Sequence, residues 1–194
     1  SSNRFSNLKD INLDNIKNLE LAWKYQFDQI SSDIQSNPIF ADSKIIMPST
    51  GNSILAIDPS NGKKIWEFDT DSKPARRGLI FYNDNKQSLI FFCAMKSLYS
   101  LKAKNGELNL SFGDSGAVKI KKNCSITPVI IKDELIIATF EPALEVYNIN
   151  TGKLKWKYYL KEKINQRHGG KRYDYSGGNP WGGISADVKR QIVF

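Results

Sequence analysis

Ala56-Ile57-Asp58-Pro59-Ser60-Asn61-Gly62-Lys63-Lys64-Ile65-Trp66 is one of three matching phrases in this chain of 194 residues. The second runs from Ser100 through Asn105-Gly106 to Leu110, and the third from Val146-Tyr147-Asn148 through Thr151-Gly152 to Trp156. Their glycines lie 44 and 46 residues apart, and each is followed four positions later by Trp, Leu or Trp. Periods of about 40 to 50 residues built from short strands are the mark of β-propeller blades, small antiparallel sheets packed face to face. Gly supplies the positive φ that a tight turn needs, and the aromatic residue after it is expected to stack in the gap between adjacent sheets. Three unrelated hairpins in a sandwich would not share one spacing.

The phrases divide the chain into units. The first, 37–70, holds four short apolar runs at 37–40, 44–48, 54–57 and 64–69, separated by turn residues, which predicts one antiparallel meander. The second, 78–112, repeats this with strands expected at 79–82, 88–94, 98–102 and 108–112, and the third, 127–160, with strands at 127–130, 134–139, 143–149 and 153–160. Residues 23–27 alternate apolar and polar side chains from Trp23 to Phe27 and read as the stray outer strand of a preceding blade. Ahead of them, residues 11–19 predict a turn and one short helix begun by an Asp14 or Asn12 cap. Residues 161–175 are too long for a hairpin turn and contain the lone His168; 176–194 open a further blade. The expected fold is all-β: an incomplete propeller of about three full blades, a leading strand and a trailing half-blade. Such an arc exposes sheet edges, which predicts either a fragment joined to the remaining blades of a parent chain or a homodimer that closes a ring.

Lys and Arg number 28 against 20 Asp and Glu, a formal charge of +8 that favours an anionic ligand. Much of the excess is scattered, as at Lys102, Lys104, Lys119, Lys121 and Lys122, and reads as solvated turns and strand edges. With no basic helix and no aromatic-basic stripe, nucleic acid is excluded as the expected partner. Cys93 and Cys124 stand 31 residues apart in different units, in no CxxC or metal spacing, so the reading is two buried thiols, with a disulfide as the alternative. The first residues have no apolar core like that of a signal peptide, and no apolar run approaches the roughly 18 residues that span a membrane.

Several phrases resemble those of one family. Arg4-Phe5-Ser6, Leu8, Ile11-Asn12, Asn15-Ile16 and Leu19-Glu20-Leu21-Ala22-Trp23 are similar in order to the opening of the quinoprotein dehydrogenases that use pyrroloquinoline quinone (PQQ). Gly62 with Trp66 resembles that family's repeating Trp-docking motif, and Arg77-Gly78-Leu79 its Arg-Gly pair at a blade start. The segment Ser111-Phe112-Gly113-Asp114-Ser115-Gly116-Ala117-Val118 resembles its SFG-x-x-G-x-V phrase. Asn179-Pro180-Trp181-Gly182-Gly183-Ile184-Ser185-Ala186-Asp187 resembles its N-x-W-x-x-x-S-x-D phrase. The likeness covers nearly the whole chain and is greatest to the branch containing membrane-type glucose dehydrogenase.

The resemblance implies a propeller of about eight four-stranded blades, of which this chain supplies a little under half. It implies PQQ, a planar ortho-quinone with three carboxylates, lying over the central channel with Ca2+ or Mg2+ beside it. The family's reaction oxidises the CH-OH group of a sugar or alcohol: a carboxylate takes the hydroxyl proton, hydride passes to the quinone, and electrons leave to a quinone or cytochrome. Trp181 matches the floor against which the quinone stacks; the alternative is a blade-docking Trp. Arg77 matches an Arg at cofactor level, whose fork suits a carboxylate, against the alternative of a surface cation. Gln35 matches a polar cofactor contact. Lys73 stands where the glucose dehydrogenase branch has a His, and a Lys there can pair with a cofactor carboxylate. The loop after Thr139 is short and leaves Glu141 as the candidate metal ligand, against an exposed hairpin charge. The adjacent-cysteine disulfide of the alcohol dehydrogenase branch is absent. The family's catalytic Asp and quinone-contacting Lys belong to later blades, beyond Phe194, so this chain is expected to be inactive alone. The resemblance implies a periplasmic parent, with membrane association left open. The alternative is a non-catalytic propeller of the same superfamily, an outer-membrane assembly type that binds protein partners as a scaffold.

Overall fold

Each copy of the repeated phrase closes a hairpin with the same internal hydrogen bonds. Asp58 N donates to Lys63 O at 2.8 Å and Gly62 N to Asp58 O at 2.9 Å; in the third copy Asn148 N donates to Lys153 O and Gly152 N to Asn148 O, both at 2.8 Å. The Asp58 carboxylate accepts from Ser60 Oγ at 2.6 Å and Ser60 N at 2.8 Å, which holds it below the usual carboxylate range. Asn148 Oδ1 plays the same part for Asn150 N and Thr151 N. At the turn the chain needs a left-handed residue, and Gly62, Gly106 and Gly152 have φ of 74°, 75° and 67°.

The computed structural model describes residues 8–28, 35–75, 77–140, 142–159 and 182–194. Its first sheet is β1 (Ile39–Ala41), β2 (Lys44–Pro48), β3 (Ser53–Ile57) and β4 (Lys64–Asp69). The second is β5 (Ile80–Asn83), β6 (Ser88–Ala94), β7 (Ser97–Lys102) and β8 (Ala117–Lys119), and the third β9 (Val129–Ile131), β10 (Glu134–Thr139), β11 (Ala143–Asn148) and β12 (Leu154–Tyr159). Every sheet is an antiparallel meander in chain order, and a hairpin of β13 (Ala186–Asp187) and β14 (Ile192–Val193) follows. Register repeats as well as spacing: Ala56 faces Trp66 and Val146 faces Trp156, each pair followed by the same irregularity.

Three expectations are corrected. Residues 23–27 carry no ladder pairing among the described residues; they run extended and contribute Trp23 instead. The short 3-10 turn Ile16–Asn18 begins at Asn15, not at Asp14 or Asn12; Asn15 makes no side-chain cap bond, its Oδ1 accepting from Asn12 N, while Asn12 Oδ1 accepts from Asp14 N. The outer strand of the second sheet is not 108–112. Leu101 faces Leu108 and Tyr99 faces Ala117, so residues 109–116 loop out between two neighbouring pairs, turned by Gly113 and Gly116 at φ of 61° and 100°.

Packing follows from strand alternation. Leu89, Phe91 and Cys93 of β6 join one core layer with Leu135, Ile137 and Tyr147 of the third sheet, while Ile90, Phe92 and Ala94 join another with Ile46, Ile54 and Ala56 of the first. Both faces of β6 are therefore buried, which is why it reads as an unbroken apolar run. Ile136 and Val146 point the other way, against Ala186 and Val193 of the last hairpin. Each large side chain so buried contributes about 1.5–3 kcal/mol.

Between layers the indoles lock the sheets. A Cβ on Gly62 would stand 2.6 Å from Trp23 Cε3, and one on Gly106 2.6 Å from Trp66 Cε3. Trp23 Nε1 donates to Pro59 O at 2.8 Å and Trp66 Nε1 to Ala103 O at 3.1 Å. The aromatic residue thus does not stack on the glycine it follows in sequence; it covers the corresponding glycine of the next unit. Gly152 is covered differently, by the Gly113 backbone and Val118, with Gly113 N donating to Thr151 O at 2.9 Å, and Leu110 is exposed. Gly106→Ala is expected to cost about 2–4 kcal/mol in urea unfolding, from left-handed strain plus displacement of the indole. Gly182→Ala, where an added Cβ meets nothing within 4 Å, should stay within about 0.5 kcal/mol; equal losses at the two sites would remove the docking explanation.

Candidate functional site

Because the sheets are in register, the segments leading into each first strand and the hairpins between second and third strands gather at one end. Residue 35 leads to β1, residues 73–75 and 77 lead to β5, and residues 123–125 lead to β9. Met95 caps the β6–β7 hairpin and Phe140 the β10–β11 hairpin. Together they line a cavity of about 420 Å³, with Gln35, Lys73, Arg77, Asn123 and Ser125 as polar groups and Pro74, Ala75, Met95, Cys124 and Phe140 as the rest. That volume lies within the roughly 300–1,000 Å³ of small-molecule sites.

Backbone bonds fix the walls. Ala75 N donates to Cys93 O at 2.7 Å, Cys124 N to Met95 O at 2.9 Å and Phe140 N to Asn123 O at 2.8 Å. Arg77 is set by a corner: its carbonyl accepts from Thr127 Oγ1 at 2.6 Å, and Gly78 follows at φ 113° with Ser36 and Asn37 O nearby. Segments from all three sheets therefore meet around Arg77. Among the described residues no carboxylate lines this cavity, and neither Lys73 nor Arg77 makes an ion pair. A second cavity, of about 310 Å³, has the opposite character, with Asp28, Glu67 and Asp69 in its wall and, among the described residues, no basic one.

Of the residues singled out from sequence, Gln35, Lys73 and Arg77 share the cavity. Trp181, Glu141 and His168 lie outside the described residues. Met95, Asn123, Cys124, Ser125 and Phe140 were not anticipated. Part of their signal was present: with Gly152 set on Gly62, Ser125 falls where Gln35 stands, and with β10 set on β6, Phe140 falls where Met95 stands. Among the described residues no three His, Cys, Asp or Glu side chains converge as a metal centre.

A buried polar network stands behind the cavity. Glu145, 4% exposed, accepts from Tyr147 Oη at 2.5 Å and pairs with Lys157 Nζ at 2.9 Å, and Lys157 lies over the Tyr159 ring. Burial first, then the bond to Glu145, pushes the Tyr147 phenol far above its ordinary range. Burial, contact with Cys124 and the Glu145 charge push the Cys93 thiol well up.

The full chain, residues 1–194, matches the family described as "PQQ: Glucose/ethanol/alcohol dehydrogenase, beta-propeller domain". The chain belongs to that family. It is 25% identical to quinoprotein glucose dehydrogenase A of Acinetobacter calcoaceticus, over 98% of this chain and 31% of that protein. It is 22% identical to quinoprotein glucose dehydrogenase of Escherichia coli K12, over 98% of this chain and 30% of that one. Among solved structures, a europium-containing methanol dehydrogenase superposes with a TM-score of 0.68 at 19% identity, over 94% of this chain and 38% of the other, a likeness of fold. The chain thus spans about a third of the length of the curated relatives it matches.

Tyr147 gives the network a measurable pH dependence. An unfolded chain releases the phenol proton near pH 10, whereas the folded chain holds it to higher pH. The stability due to the neutral phenol is complete below that pH and falls as pH rises above it. Tyr147→Phe is expected to flatten the decline of the urea midpoint between about pH 9.5 and 11; an alkaline slope equal to that of the parent would show that the phenol ionises freely in the folded chain.

Proposed function

We propose that this chain forms early blades of a periplasmic PQQ-dependent dehydrogenase that oxidises the CH-OH group of a sugar or alcohol and passes the electrons to a quinone or cytochrome. The observation that carries this reading is the 420 Å³ cavity with two cations, amide and hydroxyl groups, apolar walls and, among the described residues, no carboxylate. A flat molecule bearing three carboxylates fits such a lining. Arg77 would hold one carboxylate through its fork and Lys73 a second as a point charge. Gln35, Asn123 and Ser125 supply neutral hydrogen-bonding groups, and Pro74, Met95 and Phe140 exclude water from the ring faces. When bound, the ortho-quinone accepts the hydride equivalent from the alcohol carbon. Trp181 is assigned the ring-stacking floor, and Glu141 a part in holding Ca2+ or Mg2+. The proton-abstracting Asp and a Lys at the quinone are assigned to later blades of the parent protein, so this chain by itself should not turn over.

The test uses the full-length protein. PQQ with Ca2+ or Mg2+ is expected to support dye reduction by at least one sugar or alcohol. Arg77→Ala and Lys73→Ala should each weaken PQQ uptake, followed by fluorescence titration, about 10-fold or more, the loss of one charge-assisted hydrogen bond. Absence of dye reduction for any sugar, alcohol or aldehyde, with PQQ uptake indifferent to both variants, would return the chain to the non-catalytic propeller reading.

A further inference from the structure

Two Asn-Gly pairs stand in the chain, Asn61-Gly62 and Asn105-Gly106, and both occupy hairpin turns on which an indole docks. In such a pair the glycine nitrogen can attack the asparagine side-chain carbonyl, since no Cβ on the glycine hinders the approach. The two turns share a backbone: Gly62 N donates to Asp58 O and Gly106 N to Lys102 O, both at 2.9 Å. Their bracing differs. In the first, the Asp58 carboxylate accepts from Ser60 N at 2.8 Å, Ser60 Oγ at 2.6 Å and Asn61 Nδ2 at 2.8 Å, and Asn61 Oδ1 accepts from Lys63 N at 2.9 Å. The Asn61 side chain is thus tied at both ends, once to a charge. The second turn has Lys102 where the first has Asp58 and the third Asn148, and Lys102 pairs with Glu107 at 3.1 Å, largely in solvent, where such a contact stabilises little. Asn105 is exposed and, among the described residues, its side chain keeps a single bond, Oδ1 accepting from Glu107 N at 3.3 Å. The third turn has Thr151 in place of the asparagine.

We propose that Asn105-Gly106 is a site of spontaneous deamidation, and that the isoaspartate formed there loosens the first sheet from the second. The turn opens and Gly106 N leaves the Lys102 carbonyl. That nitrogen gives up its proton and attacks Asn105 Cγ. The bond from Cγ to the side-chain nitrogen breaks, ammonia leaves with the proton, and a cyclic succinimide remains. Water then opens the ring. Attack at the main-chain carbonyl gives isoaspartate, with the chain running through Cγ, and attack at Cγ gives aspartate; nothing is oxidised or reduced. Isoaspartate lengthens the main chain by a carbon between residues 103 and 106. Trp66 depends on both of those residues: its Nε1 donates to Ala103 O at 3.1 Å, and its Cε3 lies 2.6 Å from where a Cβ on Gly106 would stand. With the spacing between them changed, the indole can keep its hydrogen bond or its seat on the glycine, but not both.

The full-length protein is held for days in mildly alkaline buffer at body temperature, digested and mapped by mass spectrometry, with an isoaspartyl methyltransferase to count isoaspartate. Position 105 should accumulate it about 5-fold or more faster than position 61, as the further hydrogen bond to a charge at Asn61 implies. Lys102→Asp, which supplies the carboxylate that Asp58 supplies in the first turn, should bring the rate at 105 down to that at 61. Asp58→Ala should raise the rate at 61, and Asn105→Thr, the choice made in the third turn, should yield no isoaspartate at 105. Equal accumulation at the two positions of the parent, or a Lys102→Asp rate no lower than the parent's, would overturn the assignment. Should Asp58→Ala fail to fold, the parent and Lys102→Asp decide. In urea near the unfolding midpoint, pulse proteolysis of the aged parent should destroy modified molecules first, leaving survivors about 5-fold or more depleted in isoaspartate. Survivors with undiminished isoaspartate would overturn the loosening of the sheets. None of these readouts needs a cofactor or turnover, so the site stands or falls apart from the dehydrogenase reading.

Discussion

An indole lying flat on a glycine turn, its N–H bonded to a carbonyl three residues earlier, is the contact on which the other layers rest. Trp66 can occupy its place only because Gly106 has no Cβ, and Gly106 is tolerated there because its φ is one that side chains rarely adopt. One residue thus meets two requirements, the hairpin's and the neighbouring sheet's. Core layers of Leu, Ile and Phe supply most of the burial, but such surfaces can slide past one another. The indole and its hydrogen bond fix how far each sheet is advanced relative to the next.

That fixed advance places the cavity. With the sheets held in register, the connections at one end meet, and side chains distant in sequence, from Gln35 to Phe140, line one volume. Arg77 illustrates the dependence: Thr127 from the third unit binds its carbonyl, and residues 36 and 37 from the first approach the glycine beside it. Charge divides the same way. The cavity with Lys73 and Arg77 suits an anion, while the smaller one with Asp28, Glu67 and Asp69 would repel it.

How much the sequence revealed depended on whether the cause was local. The Gly turns, the period and the strands of the first and third sheets are local matters of φ, side-chain alternation and turn residues, and they could be read directly. The excursion at 109–116 could not, since Leu108 does pair with Leu101 and only the later return of Ala117 opposite Tyr99 shows that the strand was interrupted. Docking of the aromatic residue between adjacent sheets could also be read, but not which glycine it covers: Trp66 stands four residues after Gly62, and the strand carries the indole across to Gly106 of the following sheet. At the cavity, Arg77, Lys73 and Gln35 came from a family likeness rather than from spacing. Asn123 and Cys124 came from neither, because nothing in their local sequence distinguishes a connection that lines a cavity from one that does not, whereas Ser125 stands at the repeat position of Gln35.

The direction of docking sets an order in time. Trp23 and Trp66 precede their glycines by 39 and 40 residues, so a ribosome makes each indole well before its seat. At roughly 5–20 residues per second, each Trp waits several seconds with one apolar face uncovered, and Trp66 does so on a sheet already able to form. The newest blade is therefore always the sticky one, and synthesis of the next blade is what makes it safe.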